Sequence, residues 1–233
     1  MNRPKTAVII PAYNEEQAIE NVIKEIPKEI IDKIIVVDNG SNDNTSQNAK
    51  KAGALVVREE KRGYGQACLK GIESLPANTE IVVFLDGDYS DYPEDMRELL
   101  IPIVNGKADM TLGSRILGER KKGALMIHSS FGNILASFLI KLFWGFRFTD
   151  LGPFRAIKYQ SLKKIGMKDT NFGWTVEMQI KAVINKLRII ELPVRYKKRI
   201  GKSKITGTVT GSIKAGVKIT YTIIKYRITT LFA

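Results

Sequence analysis

Two carboxylates two positions apart, Asp86 and Asp88, stand at the exit of the apolar run IVVFL at 81–85, with only Gly87 between them. Such a pair can share a hard cation. Mg²⁺ or Mn²⁺ held this way keeps several waters and bridges substrate phosphates. The same three residues also suit a solvated acidic turn. Two further acid-bearing segments follow apolar runs: PAYNEE at 11–16 and VVDNGSNDNT at 36–45. Each alone reads as a helix N-terminus with stabilising acids or as a capped polar loop. Three such loops at successive strand ends point instead to one shared site.

The elements that must position them are legible in the first 115 residues. Short β-branched runs at 6–10, 34–37, 55–58, 81–85 and 109–113 alternate with amphipathic segments. Helices are expected near 45–52 and 64–74, with a further one opened by Pro93. Asn14 and Gln17 have capping-box spacing ahead of the stripe Ala18, Ile19, Val22, Ile23 and Ile26, which Pro27 ends. Alternation of this kind implies parallel strands with helices on both faces. Ligands in such sheets sit beyond the carboxyl ends of the strands, where all three acidic loops fall.

After Ser114 the pattern changes. Ile134, Leu135, Phe138 and Leu142, with Phe131 before them, make an apolar helical stripe. Another helix is expected over 175–186, then a strand at 188–193 and the basic loop RYKKRIGKSK. From Ile213 the tail reads helical, with Ile213, Val217, Thr220, Ile224, Ile228 and Leu231 on one face. Lys214, Lys218 and Lys225 form a cationic stripe beside it.

Composition narrows the function classes. The 233 residues carry a net charge of +13, unevenly placed: 1–110 hold 13 Lys/Arg against 19 Asp/Glu, and 111–233 hold 24 against 5. An acidic half that could hold a metal precedes a basic half suited to phosphates or anionic lipid. The single cysteine, Cys68, excludes an intramolecular disulfide and a cysteine-cluster metal site. The apolar run near the N-terminus is too short for a signal-peptide core, so a cytoplasmic protein is expected. No stretch of 18 apolar residues occurs. Arg195, Lys197, Lys198, Arg199, Lys202 and Lys204 form a dense basic cluster, but no nucleic-acid motif accompanies it and the acidic loops would repel a polyanion, so no nucleic-acid partner is expected.

As a set, these motifs resemble the family 2 glycosyltransferases of GT-A fold, in the dolichyl- or polyprenyl-phosphate mannose/glucose synthase-like branch. PAYNEE, VVDNGSNDNT, RGYGQA (62–67), DGDYSD, GSR (113–115), TDLGPFR (149–155) and RIGKSK (199–204) occur in family order over nearly the whole chain. The resemblance implies a single GT-A domain with a Rossmann-like mixed sheet and helices on both faces. It would comprise a nucleotide-sugar half (1–110), an acceptor half (111–205) and an amphipathic C-terminal helix (206–233). It implies that Pro11, Tyr13 and Glu15 line the nucleotide pocket with Val37, Asp38 and Asn39. It further implies that Asp86 contacts the donor, that Asp88 holds Mg²⁺ or Mn²⁺ on the diphosphate with help from Ser90, and that Arg115, Arg199 and Lys204 clamp phosphates. Gly87 and Arg155 join the substrate-binding set through the same motifs. Asn39 stands where the family's second acid is usual.

The activity so implied is inverting transfer of a hexose from a GDP-mannose- or UDP-glucose-type donor to a polyprenyl phosphate, with peripheral contact at the cytoplasmic face of the membrane. A phosphate acceptor is already ionised near neutral pH and needs no strong base. Asp150 is the candidate base for a hydroxyl acceptor, or else a partner for Arg155. A small soluble hydroxyl acceptor and a non-catalytic sugar-nucleotide or membrane-binding module are the alternatives.

Overall fold

A computed structural model describes residues 3–121, 123–124, 127–201 and 209–231. Seven strands form one sheet in the order β3-β2-β1-β4-β6-β5-β7. They are β1 (Thr6–Ala12), β2 (Lys33–Asp38), β3 (Leu55–Arg58), β4 (Ile81–Phe84), β5 (Met110–Ser114), β6 (Arg155–Lys158) and β7 (Ile189–Pro193). β1 to β4 pair in parallel, and β5 pairs in parallel with β7. β6 runs antiparallel between β4 and β5, which makes the sheet mixed.

The central strands are apolar on both sides because both faces are covered. All seven residues of β1 are buried, and they alternate between two cores. Ile9 joins Val37, Val82 and Phe84 on one face. Val8 and Ile10 join Val36 and Val83 on the other. The first face is covered by α3 (Tyr64–Glu73), α5 (Ile127–Trp144), α7 (Trp174–Ile184) and α8 (Val209–Leu231). The second carries α1 (Ile19–Glu25) and α4 (Met96–Val104). α2 (Thr45–Lys51) packs against α1, and α6 (Tyr159–Ile165) follows β6. Because β1, β2 and β4 are parallel, with Ala12 beside Asp38 and Ile9 beside Phe84, their three following loops emerge at the same end of the sheet.

Two points depart from the sequence reading. Asn14 does not cap α1: it has φ of 52° and the helix begins at Ile19 after a turn over 15–18. Asparagine tolerates this left-handed region, and its Oδ1 accepts the Asn42 amide at 2.9 Å, joining the first two loops. Strand β6 and helix α6 have no counterpart in the sequence reading. The α8 stripe Val217, Ile224, Ile228 and Leu231 faces solvent, while Ala215, Ile219, Thr222, Ile223 and Tyr226 turn inward. The α5 stripe of Ile134, Leu135, Phe138 and Leu142 is likewise exposed, and Ala136 and Ile140 are buried. The side chains of Phe131 and Ile213 lie outside the described residues.

Gly71 tests how α3 sits on the sheet. A Cβ there would overlap the Ile9 methyl and lie 3.2 Å from Val37. Alanine would gain roughly 0.5–1 kcal/mol in helix propensity, but overpacking a closed core typically costs about 1–3 kcal/mol. Gly71→Ala therefore lowers the midpoint of urea unfolding. An unchanged or higher midpoint contradicts this packing.

Candidate active site

The three loops enclose a cavity of about 470 Å³. Pro11 comes from the end of β1, Tyr13 and Glu15 from the first loop, Asn39 from the second, and Asp86, Gly87 and Asp88 from the third. Arg62, Tyr64, Asn171, Phe172 and Arg199 are also among its lining residues. Val37 and Asp38 do not reach it. Val37 is wholly in the core, and Asp38 is 1% exposed. Asp38 instead ties down its own loop, accepting the Ser41 amide at 2.7 Å and the Ser46 hydroxyl. Burial pushes its carboxyl up, but these hydrogen bonds and Arg58 outweigh burial and hold it below the usual range.

Asn39, at the position of the family's usual second acid, does what a carboxylate could not. Its amide donates to the carbonyls of Glu59 (3.0 Å) and Lys61 (2.7 Å), while its oxygen accepts the Gly63 amide at 2.8 Å. The segment 59–63 is thereby fixed against the second loop. From it Arg62 stacks on Tyr13, 3.8 Å from the ring centroid, giving the cavity a planar cationic side.

The acids line the same cavity. Asp86 accepts the Tyr64 hydroxyl at 3.0 Å. Burial, and then the neighbouring charge of Asp88, pushes the Asp86 carboxyl up to about 7. One oxygen of Asp88 is held by the Ser90 amide (2.9 Å) and hydroxyl (2.5 Å); the other faces Arg199 at 3.0 Å. Arg199 also pairs with Glu15 at 2.8 Å, so one guanidinium bridges the first and third loops. Tyr89, a bulky residue at φ 62°, turns the third loop directly after Asp88; such a strained residue marks a loop fixed by its surroundings. Just beyond, Asp91 is 2% exposed, and among the described residues neither of its carboxylate oxygens has a hydrogen-bond partner. Burial drives its carboxyl well above the usual range, and Asp86 and Asp88 add to this.

This donor set fits a divalent metal. Among the described residues no three His, Cys, Asp or Glu side chains form a cage. Mg²⁺-type sites need none, using one or two carboxylates and completing the shell with water and phosphate oxygens. Asp86 and Asp88, adjacent on the cavity wall, are the carboxylates that could hold it.

Arg115, Asp150 and Arg155 are not part of this wall. Arg115 and Asp150 form a bidentate pair at 2.7 and 2.8 Å. Burial raises the Asp150 carboxyl, but the hydrogen bonds and charge of Arg115 prevail and hold it below the usual range. Its partner is thus Arg115, not Arg155. Arg155 is fully buried and donates to the carbonyls of Gly152, Pro153 and Thr175, which corrects its assignment to substrate. Lys204 lies outside the described residues. Tyr64 and Arg62 were present in the quoted RGYGQA motif but not singled out. Asn171 and Phe172 lie in a segment with no sequence signal of its own.

The raised Asp86 carboxyl has a measurable consequence. Ionising an acid whose folded value exceeds its unfolded one costs stability. That cost is absent below the reference value of 3.8 and complete above about 7. In metal-free buffer, Asp86→Asn therefore melts above the parent at pH 8, by about 2–4 °C per kcal/mol recovered. The difference vanishes toward pH 4. Coincident melting curves at pH 8 contradict a buried charge here.

Comparison with known proteins agrees with this geometry. An uncharacterised protein of Methanocaldococcus jannaschii is 32% identical over 217 residues, 89% of each chain. The UDP-N-acetylglucosamine–dolichyl-phosphate N-acetylglucosaminyltransferase of Methanococcus voltae is 29% identical, spanning 81% of this chain and 84% of its own. A solved structure of glucosyl-3-phosphoglycerate synthase from Mycobacterium tuberculosis, with Mn²⁺, UDP-glucose and phosphoglyceric acid, superposes with a TM-score of 0.77 at 21% identity. It covers 96% of this chain and 80% of that one, and shows the GT-A fold. The model of glycosyl transferase family 2 matches residues 7–166, and with the three loops converging on one cavity the chain belongs to that family.

Proposed function

We propose that this protein is an inverting, metal-dependent hexosyltransferase that moves a sugar from a nucleotide-sugar donor to a polyprenyl phosphate at the cytoplasmic face of a membrane. The observation that carries the reading is the acid pair Asp86 and Asp88 on the wall of a cavity, with the Arg199 guanidinium 3.0 Å from Asp88. Structural neighbours hold Mn²⁺ or Mg²⁺ with UDP, and the Methanococcus voltae relative is named for a dolichyl-phosphate acceptor.

In this reading Tyr13, Arg62 and the Asn39-anchored loop receive the nucleoside, and Asp86 orients the donor sugar. Mg²⁺ or Mn²⁺ at Asp88 would neutralise charge developing on the leaving diphosphate. Arg199 now neutralises Glu15 and Asp88. Asp88 would hold the metal, and Arg199, beside it, would contribute its charge to binding the diphosphate. The best candidate base, Asp150, is locked to Arg115 and held in its weakly basic form. That favours an acceptor that arrives ionised, such as a phosphate, over a hydroxyl.

Membrane contact is supported by the two exposed stripes. Nine large apolar or aromatic side chains on α5 and α8 (Ile134, Leu135, Phe138, Leu142, Val217, Tyr221, Ile224, Ile228 and Leu231) are each 41–67% exposed. These two helices pack against each other. Among the described residues no helix is long and apolar enough to cross a membrane. Lys141, Lys214 and Lys225 are exposed on the same helices. Lys218 is not part of that cationic surface, because it pairs with Asp169. The arrangement suits a surface that lies in the headgroup region.

The reading is tested by supplying Mn²⁺ and labelled UDP-glucose, UDP-N-acetylglucosamine or GDP-mannose, with polyprenyl phosphate in anionic vesicles or 3-phosphoglycerate in solution. Label entering the organic phase is expected. A water-soluble product instead overturns the lipid acceptor and installs a soluble one. Arg199→Ala should lower turnover roughly a hundredfold while changing nucleoside diphosphate affinity far less. Equal losses would mean that Arg199 only binds. Flotation with anionic vesicles should weaken as salt rises and be lost in Phe138→Glu/Ile228→Glu, whose melting temperature should stay near the parent value. Absence of flotation by the parent protein rejects the membrane surface.

A further inference from the structure

We propose that α8 is a positioning element of the donor cavity, acting through Glu177 and Asp169 on the loop at 168–172. The inference rests on reading the cavity as the donor site. That loop brings Asn171 and Phe172 into the cavity wall. It also abuts the segment carrying Arg62 and Tyr64. A Cβ on Gly63 or Gly65 would overlap the carbonyl oxygens of Thr170 and Asp169, and the Gln66 amide donates to Thr170 at 2.8 Å. Any shift of 168–172 is therefore passed to the residues that hold Tyr64 against Asp86.

On its far side the loop hangs on two acids. Glu177, 1% exposed, accepts the amides of Lys168 at 3.1 Å and Asp169 at 2.7 Å. Its carboxylate also accepts the Tyr226 hydroxyl at 2.5 Å and pairs with Lys181 at 2.8 Å. Asp169 accepts the Asn171 amide at 2.8 Å and pairs with Lys218 at 2.9 Å. Lys218 and Tyr226 are two turns apart on α8. Between them Thr222 lies so close to Gly173 that a Cβ there would come within 2.6 Å of its hydroxyl. A small polar cavity of about 120 Å³ lies along this seam.

The network has the character of a geometric clamp. Buried ionic clusters contribute little net stability over apolar packing but enforce one arrangement when fully paired. Here Glu177 fixes the backbone amides of Lys168 and Asp169, and Asp169 fixes that of Asn171. α8 supplies both a cation and a hydroxyl to this network, which makes Lys218 and Tyr226 positioning residues for a cavity neither of them lines.

The full-length protein with Lys218→Gln or Tyr226→Phe tests this by two readouts. Without ligand, hydrogen exchange of the amides at 168–171 should accelerate by about tenfold, as expected for one lost charge-assisted hydrogen bond. With Mn²⁺ and UDP as the probe, Kd should rise several-fold and KM for the donor should rise more than kcat falls. Lys218→Arg should restore both readouts, and Lys107→Gln, on the exposed turn after α4, should alter neither. Variants that melt lower but keep parental exchange at 168–171 and parental Kd show a purely stabilising network and overturn the proposal. Failure of the parent protein to bind Mn²⁺ and UDP would reject the donor-site reading. The exchange readout, which needs no ligand, would still decide whether α8 holds the loop.

Discussion

Negative charge gathered in a half-buried place is the constraint on which the arrangement depends. Glu15, Asp86, Asp88 and Asp91 come from two loops at the same end of the sheet, and their mutual repulsion in a low-dielectric pocket must be offset. In the ligand-free chain Arg199 spans Glu15 and Asp88, Tyr64 donates to Asp86, and Ser90 holds Asp88. Asp91 has no such partner among the described residues. A site that already recruits a guanidinium from 111 residues downstream is one whose acids are incompletely paired by their own loops. A divalent cation carried with a diphosphate meets that need directly.

The parallel pairing of β1, β2 and β4 makes the gathering unavoidable. It sends three polar loops to one edge, where their backbone amides need partners that no strand supplies. The loops satisfy one another. Asn14 bonds the second loop, Asn39 bonds the 59–63 segment, and Thr45 accepts the Glu15 amide. Some of these bonding side chains also reach the cavity, and others are used up within the loops. Asp38, beside Asn39, is spent on its own turn, while Asn39 is shared between structure and wall.

Much of this was legible in the chain. The runs before Pro11, Asp38 and Asp86 read as strands because both sheet faces are covered and few polar residues interrupt them. The acidic loops then fell at the strand ends by topology alone. Strand β6 was hidden because RAIK offers only two apolar residues between basic ones, and nothing local shows that Arg155 is buried. Its charge is tolerated by three carbonyl oxygens, a partnership set by the tertiary fold. The choice of face on α8 was illegible for a related reason. Both the 217/224/228/231 stripe and the 215/219/223/226 stripe have helical spacing, and only the opposing surface of α5 and α7 decides which is buried. Lys218 looked like a member of a solvent-facing stripe until Asp169 appeared opposite it.

The account's central claim is that the acid pair is completed by a metal together with the donor's diphosphate. It is tested most directly by titrating Mn²⁺ into the protein and following free Mn²⁺ by electron paramagnetic resonance, with and without UDP or GDP. Two carboxylates alone should hold the ion weakly, and the diphosphate should tighten binding by at least tenfold, with Asp88→Asn abolishing the gain. Mn²⁺ affinity that is indifferent to the diphosphate, or that survives Asp88→Asn, would contradict the account.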